Sequence, residues 1–184
     1  MQISLRVVAI LSLTSFGHLS SHVRAAEMPL MKAVVAHEYG GPEVLKFEEV
    51  LRPEPKENEA LVRVIASGVN PADPLTLSGK YAREFGTHLP LIPGYDIAGI
   101  VEKTGANLTK LKVGDAVYGY PTFGGGWADY VTVTEGEVAP KPKSLNFVEA
   151  AAVPMGALTA WQALVDVAQL HAGQSQSRFI EGHT

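Results

Sequence analysis

Short apolar segments separated by turn residues constrain the fold of this 184-residue chain more than any other feature. Segments that read as strands start at Met31 and cover residues 45–50, 60–67, 97–101, 116–120 and 127–133. Glycine, proline and asparagine separate them at nearly regular intervals, as in antiparallel sheets. The spacing predicts a mainly β fold, a small closed or partly closed barrel that hides strand edges from intermolecular pairing.

Three consecutive glycines at 124–126 are followed by the alternating strand 127–133. A phosphate cradle needs a helix N terminus after its glycine turn, and no helical pattern follows here. We therefore predict that residues 124–126 form a hairpin loop.

A helical pattern replaces the strand pattern near the C-terminal end of the chain. Asn146 and Glu149 have the spacing of a capping box, which predicts a short helix that Pro154 ends. Pro154 also suits the first turn of a second helix, which we place over residues 154–173 with Gly173 as its stop. This second helix carries an apolar stripe at helical spacing, formed by Leu158, Trp161, Leu164, Val165 and Ala168.

Two turns lie at the centre of the strand pattern. The first turn contains Asn70 and Asp73 and follows strand 60–67, while the second, at Pro93-Gly94, leads into strand 97–101. A loop containing Tyr81 joins the two turns, which we expect to face one cleft. Aspartates beside turns usually accept hydrogen bonds from nearby backbone groups. We therefore predict this role for Asp73 and Asp96, and not paired acid and base catalysis.

From Met31 to Gly173 the chain resembles the medium-chain dehydrogenase/reductase superfamily, and within it the zinc-free quinone oxidoreductases of the zeta-crystallin type. The resemblance implies a GroES-like catalytic domain over residues 26–153 and an inter-domain helix over 154–173. Asn70, Tyr95 and Met155 stand where zinc-dependent members carry their metal ligands. Amide, phenol and thioether groups are poor Zn²⁺ ligands, so we predict no metal site.

The resemblance further implies an NADPH-dependent reductase that passes hydride to a quinone or an α,β-unsaturated carbonyl. It assigns Asn70 to catalysis and, with Thr159, to cofactor binding. Tyr81 and Tyr95 are expected to line the substrate pocket. Each residue also has a structural interpretation: a turn asparagine, a helix threonine bonded to an upstream carbonyl, and tyrosines that pack in the barrel. Leu75 replaces a tyrosine common in this group, which removes one expected cofactor contact.

Both ends of the chain depart from the barrel pattern. Residues 1–25, with Arg6, an apolar run and small residues before Ala26, read as a signal peptide, which implies a secreted or periplasmic protein. A start at Met28 or Met31 would instead give a cytoplasmic protein. Residues 174–184 form an unpatterned tail where the resemblance calls for a Rossmann domain with its glycine-rich turn. We therefore expect weak cofactor binding by this chain.

Composition excludes several classes of function. The net charge is −4 and the chain has no basic cluster, so we expect no nucleic-acid partner. The absence of cysteine excludes disulfides and thiol catalysis. No apolar run is long enough to span a membrane. Two hypotheses remain, an oxidoreductase catalytic domain and a non-catalytic barrel that serves as a binding module, and either is compatible with a homo-oligomer.

Overall fold

Seven strands and three α-helices form the fold in a computed structural model that describes residues 29–80, 82, 86, 88–171 and 173. The strands are β1 Leu30–Ala36, β2 Leu45–Leu51, β3 Ala60–Ser67, β4 Ile97–Thr104, β5 Ala116–Gly119, β6 Tyr130–Val133 and β7 Val138–Pro140. The helices are α1 Ala72–Leu77, α2 Phe147–Ala151 and α3 Pro154–Trp161, with a 3₁₀ turn at Pro42–Val44 and a π-helix at Gln162–Val167. The predicted signal peptide, Tyr81 and the tail 174–184 lie outside the described residues.

The strands form two antiparallel sheets. Strands β1 and β2 make a hairpin of their own, and the five-stranded sheet has the order β6-β3-β4-β5-β7. Isolated bridges between Ala33 and Ala128 and between Ala36 and Leu91 connect the hairpin to the rest of the fold. The sheets do not close into one cylinder, so the predicted mainly β, partly closed architecture is confirmed.

The core lies on one face of the five-stranded sheet. Its fully buried members include Val62, Ile97, Val101 and Val117. Helix α2 covers a second patch, where Ala150 and Ala151 pack against Ala98 on β4. The small alanine side chains let this short helix lie close to the sheet.

The predicted hairpin loop at 124–126 is wrong. Strand β5 pairs with β4 and β7, whereas β6 pairs with β3, so the intervening segment crosses the sheet and does not join neighbouring strands. The glycines pack against the backbone of residues 92–94, through hydrogen bonds from Gly125 N to Ile92 O and from Gly126 N to Gly94 O. The following strand begins at Tyr130, later than predicted.

The C-terminal helical segment begins as predicted. Asn146 and Glu149 form the predicted capping box, with both reciprocal hydrogen bonds present. Pro154 occupies the first position of α3. The second helix, however, changes to π-helical geometry after Trp161 and ends at Val167, before the predicted stop at Gly173. None of the described helices is long and apolar enough to cross a membrane.

Candidate functional site

The register between β3 and β4 brings the two predicted turns together. Ser67, the last residue of β3, pairs with Ile97, the first residue of β4. The residues directly after β3 therefore lie beside those directly before β4. Backbone pairing continues one step further, because Gly68 N donates to Asp96 O at 2.9 Å. We call residues 68–73 the asparagine turn and residues 93–96 the aspartate corner.

The asparagine turn is fixed by hydrogen bonds from both of its ends. The backbone N–H of Asn70 donates to Asp73 Oδ2 at 2.7 Å, while Asp73 Oδ1 accepts from Gly94 N at 2.8 Å. The Asp73 side chain thus joins the turn to the aspartate corner. Only 1% of Asp73 is exposed, and burial raises the pKa of its carboxyl despite these two N–H donors. The prediction that Asp73 caps backbone groups is confirmed.

The side-chain amide of Asn70 is held by Asp96. Asn70 Nδ2 donates to Asp96 Oδ2 at 3.0 Å, and the other carboxylate oxygen, Oδ1, accepts from the backbone N–H of Met155 at 2.9 Å. Asp96 is 2% exposed, and burial raises the pKa of its carboxyl, opposed by the hydrogen bonds from Asn70 and Met155. Asp96 therefore links the asparagine turn to the start of helix α3.

Two glycines allow the turns to approach each other this closely. A Cβ atom on Gly68 would lie 2.9 Å from Ala151 O and 3.0 Å from Asp96 Cβ. Gly94 has φ +98°, and a Cβ atom there would lie 2.4 Å from Trp127 Cδ1. Any larger residue at either position would separate the elements that meet at Asp96.

Tyr95 lies beneath this network with 3% of its surface exposed. Its hydroxyl and Thr76 Oγ1 are hydrogen-bonded at 2.8 Å, and its ring stacks on Tyr120 with centroids 5.7 Å apart. Burial raises the pKa of Tyr95, opposed by the bond with Thr76, and burial also raises that of Tyr120. Both phenols are therefore protonated at neutral pH.

Thr159 lies on α3, one helical turn beyond Met155, and is exposed. The side chains of Met155 and Thr159 share a helix face because they are four residues apart, whereas Asp96 bonds the backbone N–H of Met155. The structure therefore joins Asn70 to the start of α3 through Asp96, and no hydrogen bond among the described residues joins Thr159 to Asn70 or Asp96. The sequence predicted that Asp96 accepts from nearby backbone groups, but its carboxylate accepts from the Asn70 side chain and from the backbone N–H of the distant Met155.

An apolar cleft of about 320 Å³ lies between α3 and strands β5 and β7. Its walls include aromatic and aliphatic side chains from both sides: Tyr118, Tyr120, Val138, Leu158 and Trp161. Tyr120 belongs both to this cleft and to the stacked pair with Tyr95. A larger cavity of about 440 Å³ lies along β6, and neither this cavity nor the apolar cleft is lined by Asn70, Tyr95 or Thr159.

Among the described residues, no group of three or more His, Cys, Asp or Glu side chains is arranged to hold a metal ion. Of the three positions that the resemblance relates to zinc ligands, Asn70 bonds Asp96 through its side chain and Met155 through its backbone N–H, whereas the Tyr95 hydroxyl bonds Thr76. Their side chains are an amide, a phenol and a thioether, which do not fit a catalytic zinc ion.

The alcohol dehydrogenase GroES-like domain family matches residues 56–143, which contain the asparagine turn and the aspartate corner. The quinone oxidoreductase of Pongo abelii is 40% identical over 152 residues, covering 82% of this chain and 46% of that protein. The chain belongs to the medium-chain dehydrogenase/reductase superfamily. It spans less than half the length of the curated superfamily members that it matches.

Two further proteins that are similar to this chain are associated with NADPH. The chloroplastic NADPH-dependent alkenal/one oxidoreductase of Arabidopsis thaliana is 40% identical, with 79% of this chain and 39% of that protein covered. The Escherichia coli quinone oxidoreductase, solved in complex with NADPH, superposes with a TM-score of 0.67 at 32% identity. That superposition covers 72% of this chain and 40% of the solved one.

Proposed function

We propose that this chain supplies the barrel side of the active site of an NADPH-dependent reductase acting on quinones or α,β-unsaturated carbonyls. The observation that carries the proposal is the hydrogen bond from the Asn70 amide to the buried Asp96 carboxylate, which also accepts from the backbone N–H of Met155. A reductase without a metal must rely on positioned polar groups, and the amide of Asn70 is held by a buried carboxylate.

Bound NADPH would supply the hydride. The residues of this chain that suit its nicotinamide end are Asn70, whose half-buried amide both donates and accepts, and the exposed hydroxyl of Thr159. The phosphates have no comparable partner among the described residues, because the N–H groups of glycines 124–126 donate to the carbonyls of Pro121, Ile92 and Gly94. We infer that this chain by itself binds the cofactor through its nicotinamide end alone.

The residues of the site favour alignment over acid catalysis. Asp73 and Asp96 accept hydrogen bonds from neighbouring N–H groups, and the Tyr95 hydroxyl is bonded to Thr76. None of these three groups is placed to exchange a proton with a ligand in the cleft. Hydride transfer to an enone or quinone requires close alignment of donor and acceptor, which is worth several orders of magnitude in rate.

Titration of the full 184-residue chain, labelled with ¹⁵N, with NADPH tests this function. Because the phosphate contacts are missing, we expect weak saturation, with dissociation constants in the range of about 1 mM or above. The largest changes in NMR chemical shift should occur at the backbone amides of Asn70, Met155 and Thr159. The Asn70→Ala variant should remove them, whereas Asn107→Ala, which changes a turn asparagine bonded to Asn58 near the other end of β4, should not.

Two results would contradict the proposal. Low-micromolar NADPH binding would show a complete cofactor site and disprove binding through the nicotinamide end alone. Unchanged spectra at the highest NADPH concentration would instead favour the non-catalytic barrel. Reduction of a simple quinone, followed by NADPH absorbance, should be slow in the wild-type chain and slower still in Asn70→Ala.

A further inference from the structure

Asp96 receives four hydrogen bonds from three different elements. Its carboxylate accepts from Asn70 Nδ2 and Met155 N, and its backbone carbonyl accepts from Ser67 Oγ at 2.7 Å and from Gly68 N. We propose that Asp96 is a positioning residue that orients the Asn70 amide and fixes the start of helix α3. The catalytic consequence of this role rests on the function proposed above, whereas the role itself is a property of the fold.

The carboxylate determines which end of the Asn70 amide points inward. An ionised carboxylate only accepts hydrogen bonds, so the NH₂ group of Asn70 must face it. The amide oxygen, Oδ1, is then turned away from Asp96, and no described residue donates a hydrogen bond to it. This oxygen is available to a hydroxyl or amide N–H group of a nicotinamide nucleotide.

The same carboxylate caps α3 from outside the helix. The first N–H groups of a helix have no partner within it, and the residue before α3, Val153, has no side chain able to cap. Asp96 Oδ1 accepts one of these hydrogens, at Met155, and places negative charge near the positive end of the helix dipole. The axial position of Thr159 follows from this contact, because it lies one turn further along.

An amide cannot replace the carboxylate in both contacts. In Asp96→Asn the side chain has one accepting oxygen, while both Asn70 Nδ2 and Met155 N require an acceptor. Either the Asn70 amide rotates, which exchanges its oxygen and nitrogen, or α3 loses its cap. The double variant Asn70→Asp/Asp96→Asn restores a donor and an acceptor at both contacts and reverses the direction only between positions 70 and 96, because the backbone N–H of Met155 still donates.

Nuclear Overhauser effects in the full chain test the positioning role without any ligand. The NH₂ group of Asn70 and the N–H of Met155 donate to the two oxygens of one carboxylate, which places their hydrogens within about 5 Å. We expect a cross-peak between them in wild type and in the Asp115→Asn control, which changes an aspartate that caps Lys112 in another turn. Loss of this cross-peak in Asp96→Asn, with an unchanged backbone spectrum elsewhere, supports the role; its persistence overturns it.

The initial slope of the Thr159 amide shift against NADPH concentration tests whether Asp96 acts through Asn70. We expect Asp96→Asn and Asn70→Ala each to lower the slope about tenfold. The variant that combines Asn70→Ala with Asp96→Asn should have about the same slope as either single variant. A combined variant whose slope falls by the product of the two single decreases would overturn the coupling between Asp96 and Asn70. If wild type shows no slope, the proposed function fails for this chain, and the cross-peak alone confirms or overturns the positioning role.

Discussion

Replacing Thr76 by valine and Tyr95 by phenylalanine, singly and together, measures the buried hydrogen bond below the aspartate corner. The two hydroxyls are 2.8 Å apart, and their residues are 2% and 3% exposed. Both substitutions keep the shape of the side chain. Phenylalanine also keeps the ring that stacks on Tyr120.

The expected magnitude follows from what each variant leaves behind. Either single substitution strands one buried hydroxyl without its partner, which costs about 1–3 kcal/mol of unfolding free energy. The double variant removes both hydroxyls, so its loss should be no greater than that of one single variant. The coupling free energy between the two sites should therefore be about 1–2 kcal/mol.

Urea unfolding of the full chain, followed by far-ultraviolet circular dichroism at neutral pH, measures these differences. Ser78→Ala is the matched control, since it removes an exposed hydroxyl bonded to Leu75 O near the same helix, and it should change stability by less than about 0.5 kcal/mol. Additive losses in the double variant would refute the reasoning, because they would mean that the two hydroxyls do not satisfy each other.

Three further predictions concern the helix start, pH and metal content. Asn146→Ala should cost about 1 kcal/mol in the same urea assay because it removes a capping box, whereas exposed Ser144→Ala should cost almost nothing; equal effects would contradict the cap. Burial raises the pKa values of Tyr95 and Tyr120, so the folded state holds these protons more tightly than the unfolded state, and stability should fall as pH rises above about 10. A Tyr95→Phe/Tyr120→Phe variant should show a smaller fall, and an identical alkaline profile would count against this cause. Elemental analysis should find no stoichiometric zinc in the purified chain, and one tightly held ion per chain would disprove the assignment of the site.

Local signals were sufficient to predict much of the fold. Strand β3 was predicted with its observed bounds because its β-branched residues are flanked by a polar loop and a turn. The capping box was readable because its two partners are three residues apart. The same holds for Asp73, whose role depends partly on the backbone of its own turn.

Contacts between residues far apart in sequence could not be predicted from local signals. Nothing in residues 120–129 shows that the next strand joins the far side of β3, so a connection across the sheet was mistaken for a hairpin. The partners of the Asp96 carboxylate were missed for the same reason. Its two side-chain partners, Asn70 and Met155, are 26 and 59 residues away in sequence, and only the register of β3 against β4 brings the first of them close.

The separate β1–β2 hairpin has a consequence for how the molecule opens. Strand β1 is largely buried and hydrogen-bonds residues 91, 127 and 129, whereas β2 pairs with β1 alone among the described strands and leaves Phe47 71% exposed. Release of β2 would break its ladder with β1 and would leave the hydrogen bonds of the five-stranded sheet and of Asp96 intact. We therefore expect β2 to open locally, so that its amides exchange with solvent and its backbone meets proteases before the remainder of the fold is disturbed.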